Sequence, residues 1–176
     1  LDSLTYSDAW GGAKNISVER ISVEAPSDEP GNWTTTLSAQ GHSAGNVNSI
    51  ASAEPFTKQS LIINEIMFSP LSGEPEYIEL YNRSEAPISL LNWAITVGDD
   101  KTLLAQTDIS VPAHAYVVIA GTKNFPDRYT LDKEQIIVPV TNLAALPASG
   151  STLVLRDWVG TTIDSLAYTE LWGGGD

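Results

Sequence analysis

Three glutamates, Glu65, Glu76 and Glu79, stand close together in the sequence and are the first residues that could do chemistry. Carboxylates in such numbers can bind Ca²⁺, which takes about six to eight oxygen ligands. A pair of glutamates can also act as the acid and the base that hydrolyse a glycosidic bond. The simpler interpretation is a solvated sheet face that carries alternating charges. We keep Glu65 and Glu79 as candidate calcium ligands and assign no catalytic residue.

A second calcium candidate is the carboxylate pair Asp99 and Asp100, which follows Gly98. An ordinary tight turn, of type I′ or a related type, explains the same residues. The D-x-[DN]-x-[DN]-G spacing of an EF-hand loop does not occur in the sequence. We therefore expect no obligatory cofactor and keep Ca²⁺ as the ion that these residues could bind.

The two histidines, His42 and His114, are too few for a zinc site in a chain without cysteine. His42 belongs to the segment Gly41–Gly45, GHSAG, which matches the G-x-S-x-G form of a serine nucleophile. That motif requires a strand before it and a helix after it, and the surrounding residues predict neither. We interpret the match as coincidental, and His114, in the turn after Pro112, as a surface residue.

Composition excludes several classes of partner. The 176 residues carry a net charge of −13, from 9 Lys and Arg against 22 Asp and Glu. Such a surface repels phosphate backbones and anionic lipids, so we expect no nucleic-acid partner. No apolar stretch is long enough to cross a bilayer, and the first residues lack the features of a signal peptide. We expect an internal piece or a mature form. The lack of cysteine fits an exported bacterial protein that does not rely on disulfides.

Short β-strands must position these side chains. Leu61–Phe68 and Tyr77–Tyr81 flank a turn-rich segment and predict a hairpin or two neighbouring strands. Tyr116–Ala120 is a continuous apolar run and predicts a central strand. Further strands are predicted at Asn15–Val23 (with an irregularity near Glu19 and Arg20), Thr34–Leu37, Ile88–Val97, Thr102–Ala105, Asp108–Val111, Ile136–Val140, Ser151–Arg156 and Thr161–Tyr168. Many short strands at this spacing predict an all-β sandwich.

The two ends of the chain repeat one another. Leu1–Gly12 reads LDSLTYSDAWGG and Ile163–Gly174 reads IDSLAYTELWGG, without a gap. A match of this kind indicates a tandem array that is cut out of phase. The first residues are then the tail of one copy, and the last residues stop within the next. Trp10 and Trp172 are equivalent by this repeat, so we expect both to be structural.

Two long segments carry a family resemblance. INEIMFSP at residues 63–70 is followed by EPEYIELYNRSEAPISLLNWAI at residues 74–95. The match continues through VPAHAYVVIAG and GSTLVLRDWVGTTIDSLAYTELWGG. This pattern resembles the lamin tail domain as it occurs in bacterial exported proteins. The resemblance implies an immunoglobulin-like β-sandwich with no catalytic site.

The resemblance also implies a domain layout. Residues 17–36 and 41–49 resemble the closing portion of the same domain. We predict that residues 1–50 are the final segment of a preceding repeat, residues 51–60 a linker, and residues 61–176 a sandwich that lacks its own last strands. Since an uncovered sheet edge exposes backbone donors and acceptors, residues 1–50 should dock in cis or exchange between two molecules as a strand-swapped homodimer. A loosely held, independent tail is the alternative.

These observations lead to one main functional hypothesis. The chain is expected to be a non-catalytic interaction or structural module of a large extracellular or cell-surface bacterial protein, with neighbouring repeats and an unidentified protein or surface as partners. The alternative is a carbohydrate- or calcium-binding accessory module of an extracellular hydrolase. Five tryptophans could supply a sugar-stacking platform, although such residues more often fill a sandwich core. We expect Trp93 in the core.

Overall fold

The computed structural model describes residues 3–23, 27–28, 32–51, 56–105, 108–121, 125, 129 and 135–172. Within these residues, every regular element is a β-strand or a single 3-10 turn, and none is an α-helix. The chain divides into a smaller unit, Leu1–Pro55 with Trp158–Thr161, and a larger unit, Phe56–Asp157 with Thr162–Asp176. The predicted all-β class is confirmed.

Twelve strands are described. They are β1 Val18–Arg20, β2 Trp33–Thr35, β3 Leu61–Met67, β4 Tyr77–Asn82, β5 Ile88–Ser89, β6 Ala94–Val97, β7 Asp100–Leu103, β8 Ser110–Val111, β9 Tyr116–Ala120, β10 Ile136–Pro139, β11 Gly150–Arg156 and β12 Thr162–Thr169. The 3-10 turns are Asp8–Trp10 and Glu170–Trp172.

The larger unit contains two four-stranded sheets, and we refer to β10-β9-β4-β3 as the first sheet and to β12-β11-β6-β7 as the second sheet. Strands β3 and β4 pair antiparallel from Leu61 opposite Asn82 to Met67 opposite Tyr77, which confirms the predicted strand pair. Strand β9 lies between β4 and β10, as predicted for a central strand. Its pairing with β10 is parallel, whereas the other pairings in these two sheets are antiparallel.

One apolar core joins the two sheets. Period-two alternation turns Ile78 and Leu80 of β4 inward, and both are fully buried. They share one hydrophobic cluster with Ile95 of β6 and with Leu153 and Leu155 of β11. Because side chains from both sheets fill one interior, this unit is a β-sandwich.

The expectation for Trp93 is confirmed, since its side chain is fully buried in this core and its ring lies 5.0 Å from that of Phe56. The strand predicted at Ile88–Val97 is wrong in its extent, because the chain breaks between β5 and β6. Asn92 adopts a left-handed conformation (φ 62°), and the Trp93 N–H donates to the Leu90 carbonyl oxygen at 3.0 Å. A short polar side chain tolerates this conformation, which ends a strand.

The smaller unit pairs β1 with β2, from Val18 opposite Thr35 to Arg20 opposite Trp33. The strand predicted at Asn15–Val23 is therefore too long. Asn15, at φ 64°, lies in the turn that joins Ala13 to Ile16, so the strand cannot begin there. Residues 25–31, whose prolines and glycine predict a turn, lie largely outside the described residues.

The repeated end segments have different surroundings. In the second copy, Tyr168 lies in β12 and is 2% exposed, whereas its counterpart Tyr6 lies in no strand and is 81% exposed. Trp10 stacks on Trp33 at 5.9 Å, whereas Trp172 is largely exposed. Similar sequence therefore does not give similar structure here, because strand β11 is the partner that orders the second copy.

Candidate functional site

The clearest gathering of polar and aromatic side chains lies on the outer face of the first sheet. Directly opposed residues in a pleated sheet point to the same face. The register pairs Glu65 with Glu79 and Met67 with Tyr77 across β3 and β4. Since Ile78 and Leu80 point into the core, Tyr77, Glu79 and the residues opposite them form this outer face.

Glu65 and Glu79 are close because they are cross-strand partners, and two like charges so placed repel one another. Neutral donors moderate this repulsion. The Tyr77 hydroxyl donates to Glu65, and the Asn64 side-chain nitrogen donates to Glu79 Oε1 at 2.8 Å. Burial first, and then the hydrogen bond to Glu65 and its negative charge, raise the pKa of the Tyr77 phenol. Tyr77 therefore remains a protonated donor near neutral pH.

Glu76 does not join this pair. Its Oε2 accepts a hydrogen bond from the Leu146 backbone N–H at 2.9 Å, so it fastens the loop that precedes β11. Of the three glutamates singled out in the sequence, two meet on the outer face and the third supports a loop.

Aromatic rings cover the β9 side of the outer face. Tyr77 meets Phe125 edge-on at 5.2 Å and Tyr129 at 5.3 Å, and the latter two rings stack at 4.6 Å. With Val118 and Ala120 they form a second apolar cluster. Burial, followed by the charge of Glu74, raises the pKa of Tyr129.

A separate aromatic pair lies at the other end of the same face. The rings of Tyr81 and Tyr116, which are opposed on β4 and β9, lie 4.7 Å apart at an interplanar angle of 33°. Tyr116 is 45% exposed. This pair presents an aromatic surface to solvent next to Glu79.

The second carboxylate pair lies on the other sheet. Val97 pairs with Asp100, so Gly98 and Asp99 form a two-residue hairpin turn between β6 and β7. Gly98 adopts φ 59°, as the first residue of such a turn requires. Asp99 and Asp100 are thus not brought to Glu65 and Glu79. Over the described part of the chain, no group of three His, Cys, Asp or Glu residues could hold a metal ion.

Both histidines, His42 and His114, lie in loops or turns. His114 lies in the turn before β9, with Nε2 3.2 Å from the exposed carboxylate of Glu85. The segment Gly41–Gly45 consists of turns and bends, and within it His42 Nδ1 accepts from the Ala44 N–H at 3.3 Å. Neither histidine lies on the outer face.

Sequence reasoning missed a buried carboxylate in the smaller unit. Glu19 is 4% exposed, and it accepts hydrogen bonds from Thr36 Oγ1 at 2.6 Å and from Ser49 Oγ at 2.7 Å. Burial raises the pKa of Glu19, but the hydrogen bonds from Ser43, Thr36 and Ser49 outweigh burial and lower it overall. The signal in the sequence was the density of hydroxyl residues in segments that could reach β1.

Asn82 is the second residue that was missed. Its side-chain NH₂ group lies 2.9–3.0 Å from the carbonyl oxygens of Ala86, Val111 and Pro112, so its two N–H donors serve three acceptors and one N–H is shared. Its Oδ1 accepts from the Ser84 backbone N–H at 2.9 Å. The residue is fully buried at the end of β4. Asn82 ends the E-Y-I-E-L-Y-N segment, but that segment alone does not reveal which parts of the chain the residue joins.

Two sheets around one core, with polar side chains that bind backbone groups, define the larger unit as a β-sandwich domain. The family model of the lamin tail domain matches residues 54–170, and the chain belongs to this family. The match confirms the resemblance seen in residues 63–70 and 74–95. The family is one of non-enzymatic, immunoglobulin-like domains.

A comparison with curated proteins gave no match. No helix within the described residues is long and apolar enough to cross a membrane.

Proposed function

We propose that the chain is a non-catalytic interaction or structural module, one unit of a tandem array in a large bacterial protein that is exported or held at the cell surface. The observation that carries this proposal is the lamin tail domain match over the sandwich. The module works by holding neighbouring parts of its parent protein apart and by binding a protein or a surface.

The use of buried and half-buried polar side chains supports a structural role. Asn82 and Glu76 bind backbone groups of loops, and Asp157 Oδ2 accepts the Phe56 backbone N–H at 3.2 Å. Such bonds fix loop conformations, because a buried backbone group without a partner is costly. A rigid sandwich with fixed loops is a suitable spacer and a suitable binding surface.

Composition permits an extracellular location. The net charge of −13 keeps a protein soluble and disfavours nucleic acid as a partner, and a chain without cysteine is indifferent to the redox state of its compartment. The end-to-end repeat supports a tandem array, whose neighbouring copies are then the first partners of the module.

The experiment that tests this proposal locates the parent protein. An antibody against the 176-residue chain is applied to intact and to permeabilised cells of the organism that encodes it, and the culture fluid is blotted in parallel. Labelling of intact cells, or a band in the culture fluid, is expected. A signal confined to permeabilised cells would contradict the extracellular assignment.

Carbohydrate binding is a second candidate, favoured by the Tyr81–Tyr116 pair and the adjacent Glu79. Exposed aromatic rings stack on the apolar faces of sugars, and carboxylates accept hydrogen bonds from hydroxyl groups. A glycan array probed with the chain and with Tyr116→Ala tests this function. Binding that Tyr116→Ala abolishes supports it, and an array without signal removes it. Parallel melting curves with and without millimolar Ca²⁺ test the calcium alternative.

A further inference from the structure

The four outer strands of the two sheets differ in how well they are protected against pairing with another extended chain. An open sheet edge offers unpaired N–H and C=O groups to any extended chain, and proteins guard such edges with charges, proline or bulges. Strand β10 carries Pro139, β7 carries the exposed Asp100 and Lys101, and β3 has a bulge between Ile63 and Glu65. Strand β12 is the fourth edge strand, and its segment from Ser165 to Thr169 has none of these guards.

The hydrogen-bond pattern shows which backbone groups of β12 face outward. The Thr152 carbonyl oxygen accepts from the Gly98 N–H at 3.0 Å, so Thr152 turns its backbone groups toward β6. In an antiparallel ladder the direction alternates along a strand, so Leu153 turns its groups toward β12. Its partner is Leu166, and the backbone groups of the neighbouring residues Ser165 and Ala167 therefore point away from β11.

The beginning of this edge is occupied. The Gln59 N–H donates to the Ile163 carbonyl oxygen at 2.7 Å, and the Ile63 N–H donates to Asp164 Oδ2 at 2.9 Å. The open part therefore starts at Ser165. The side chains of Ser165, Ala167 and Thr169 are exposed, and no strand within the described residues pairs with this side of β12.

The acidic residues on either side of this edge determine which kind of extended segment can bind to it. Acidic residues flank the uncharged segment at both ends, Asp164 before it and Glu170 after it. A second copy of this chain brings a net charge of −13, and its own β12 brings the same acidic flanks, so self-pairing is opposed. A partner with basic flanks meets opposite charges instead.

We propose that the β12 edge from Ser165 to Thr169 binds an extended protein segment by strand addition, and that this segment has about five uncharged residues between lysine or arginine flanks. The Asp164 carboxylate, whose Oδ2 also accepts the Ile63 N–H, lies just before the open part of the edge and Glu170 just after it. At about 3.4 Å per residue, the flanks of the bound segment must lie about 20 Å apart to meet both charges. Backbone hydrogen bonds supply affinity and the flanking charges supply selectivity and register. This inference rests on the proposed role as a binding module and names its binding edge.

The test measures binding of a synthetic peptide, Lys-Thr-Val-Thr-Val-Thr-Lys, to the full 176-residue chain by fluorescence anisotropy or calorimetry. Ala167→Pro removes an outward N–H from an edge position where proline is sterically tolerated. It should weaken binding by about tenfold or more while the melting temperature stays within a few degrees. Glu170→Gln should weaken binding by a few fold and reduce its salt dependence, whereas Asp100→Asn on the β7 edge should do neither.

Two modified peptides keep the test decisive if Ala167→Pro fails to fold. N-methylation of the alternate residues that face the edge should abolish binding, and glutamate flanks should weaken it. If either modified peptide binds as tightly as the original lysine-flanked peptide, the proposal is overturned. It is also overturned if sedimentation shows that the chain alone associates through this edge. Failure of peptide binding leaves the extracellular-module proposal standing, because the antibody experiment tests that proposal independently.

Discussion

The side-chain nitrogen of Asn82 lies 3.0 Å from the backbone carbonyl oxygen of Val111, and this hydrogen bond ties the end of β4 to the end of β8. The same nitrogen also reaches Ala86 and Pro112, so one amide joins three backbone carbonyl oxygens inside the larger unit. It occupies a buried point where three chain segments meet.

Asn82→Ala should lower the free energy of unfolding by about 2–4 kcal/mol, because buried carbonyl oxygens lose their donor and a cavity is left behind. Chemical denaturation followed by circular dichroism measures the change. Asn142→Ala, at an exposed loop position, is the matched control and should stay within about 0.5 kcal/mol of the parent chain. Equal effects of the two substitutions would show that the Asn82 bonds are not important for stability.

The fold was predictable where one face of a strand is apolar. Ile78 and Leu80 alternate with Tyr77 and Glu79, and this alternation fixes both the strand and its inward face. The break at Asn92 was not predictable from the surrounding apolar residues, because Leu90, Leu91 and Trp93 suit a strand equally well. The left-handed backbone at Asn92 depends on the hydrogen bond of its own N–H to Ala105, a contact between distant residues.

The polar sites were harder to predict than the strands. Glu65 and Glu79 could be expected near one another, because the apolar pattern predicts two neighbouring strands, but their direct pairing depends on the bulge between Ile63 and Glu65. Glu76 stands three residues before Glu79 and looks the same in sequence, but it binds Leu146, which is 70 residues away. Glu19 likewise has the neighbours of a solvent-facing residue, and its burial arises from Thr36 and Ser49 in a different segment.

Gly150 must remain a glycine. It begins β11 at φ 104°, and an added Cβ would lie 2.5 Å from the Tyr168 carbonyl oxygen and 2.8 Å from the Thr169 Cα. Gly150→Ala should destabilise the larger unit by about 2–4 kcal/mol, because backbone strain adds to a steric clash that only movement of β12 can relieve.

Gly73→Ala provides the control for this prediction, since Gly73 has φ 88° and no atom within 4 Å of the added Cβ. This substitution should lower the free energy of unfolding by about 1–2 kcal/mol, through conformational strain alone. Thermal unfolding of both variants measures the difference. A smaller loss for Gly150→Ala than for Gly73→Ala would contradict the tight approach of β12 to Gly150.

Tyr168 and Tyr6 occupy the same position of the repeat in different surroundings. The Tyr168 hydroxyl donates to the Pro147 carbonyl oxygen at 2.9 Å, and its ring lies 4.8 Å from that of Phe68. Tyr168→Phe should cost about 1–2 kcal/mol through the lost hydrogen bond, and Tyr168→Ala about 3–5 kcal/mol. The same substitutions at Tyr6 should change stability by less than about 0.5 kcal/mol. Denaturation curves that show equal losses at both positions would contradict this assignment.

Removal of residues 1–50 should lower the melting temperature. Within the smaller unit, Trp158 is buried, and its carbonyl oxygen accepts from Thr34 Oγ1 at 2.7 Å. The truncated chain loses this donor and exposes an indole ring, whose burial is worth about 3 kcal/mol or more. Calorimetry of residues 51–176 beside the full chain measures the shift, and tryptophan fluorescence reports the exposure of Trp158. Unchanged stability and emission would mean that residues 1–50 are an independent tail.

The buried carboxylate of Glu19 should make the smaller unit sensitive to acid. Its pKa is lowered from 4.5 in the folded chain, so the folded state holds its proton less strongly than the unfolded state does. This contribution to stability is therefore fully present above about pH 4.5 and is lost as the pH falls through the lowered pKa. Glu19→Gln should remove this pH dependence and cost about 1–3 kcal/mol at pH 7, because the hydroxyl groups of Thr36 and Ser49 lose a charged acceptor.

Hydrogen exchange of the Trp33 indole N–H, which donates to the Ser27 carbonyl oxygen at 2.8 Å, reports on this unit and can be followed by NMR from pH 7 to pH 3. Glu170→Gln, at an exposed position, serves as the control and should leave the exchange profile of Trp33 unchanged. A Glu19→Gln profile that coincides with that of the parent chain at every pH would show that the carboxylate contributes nothing to the stability of this unit.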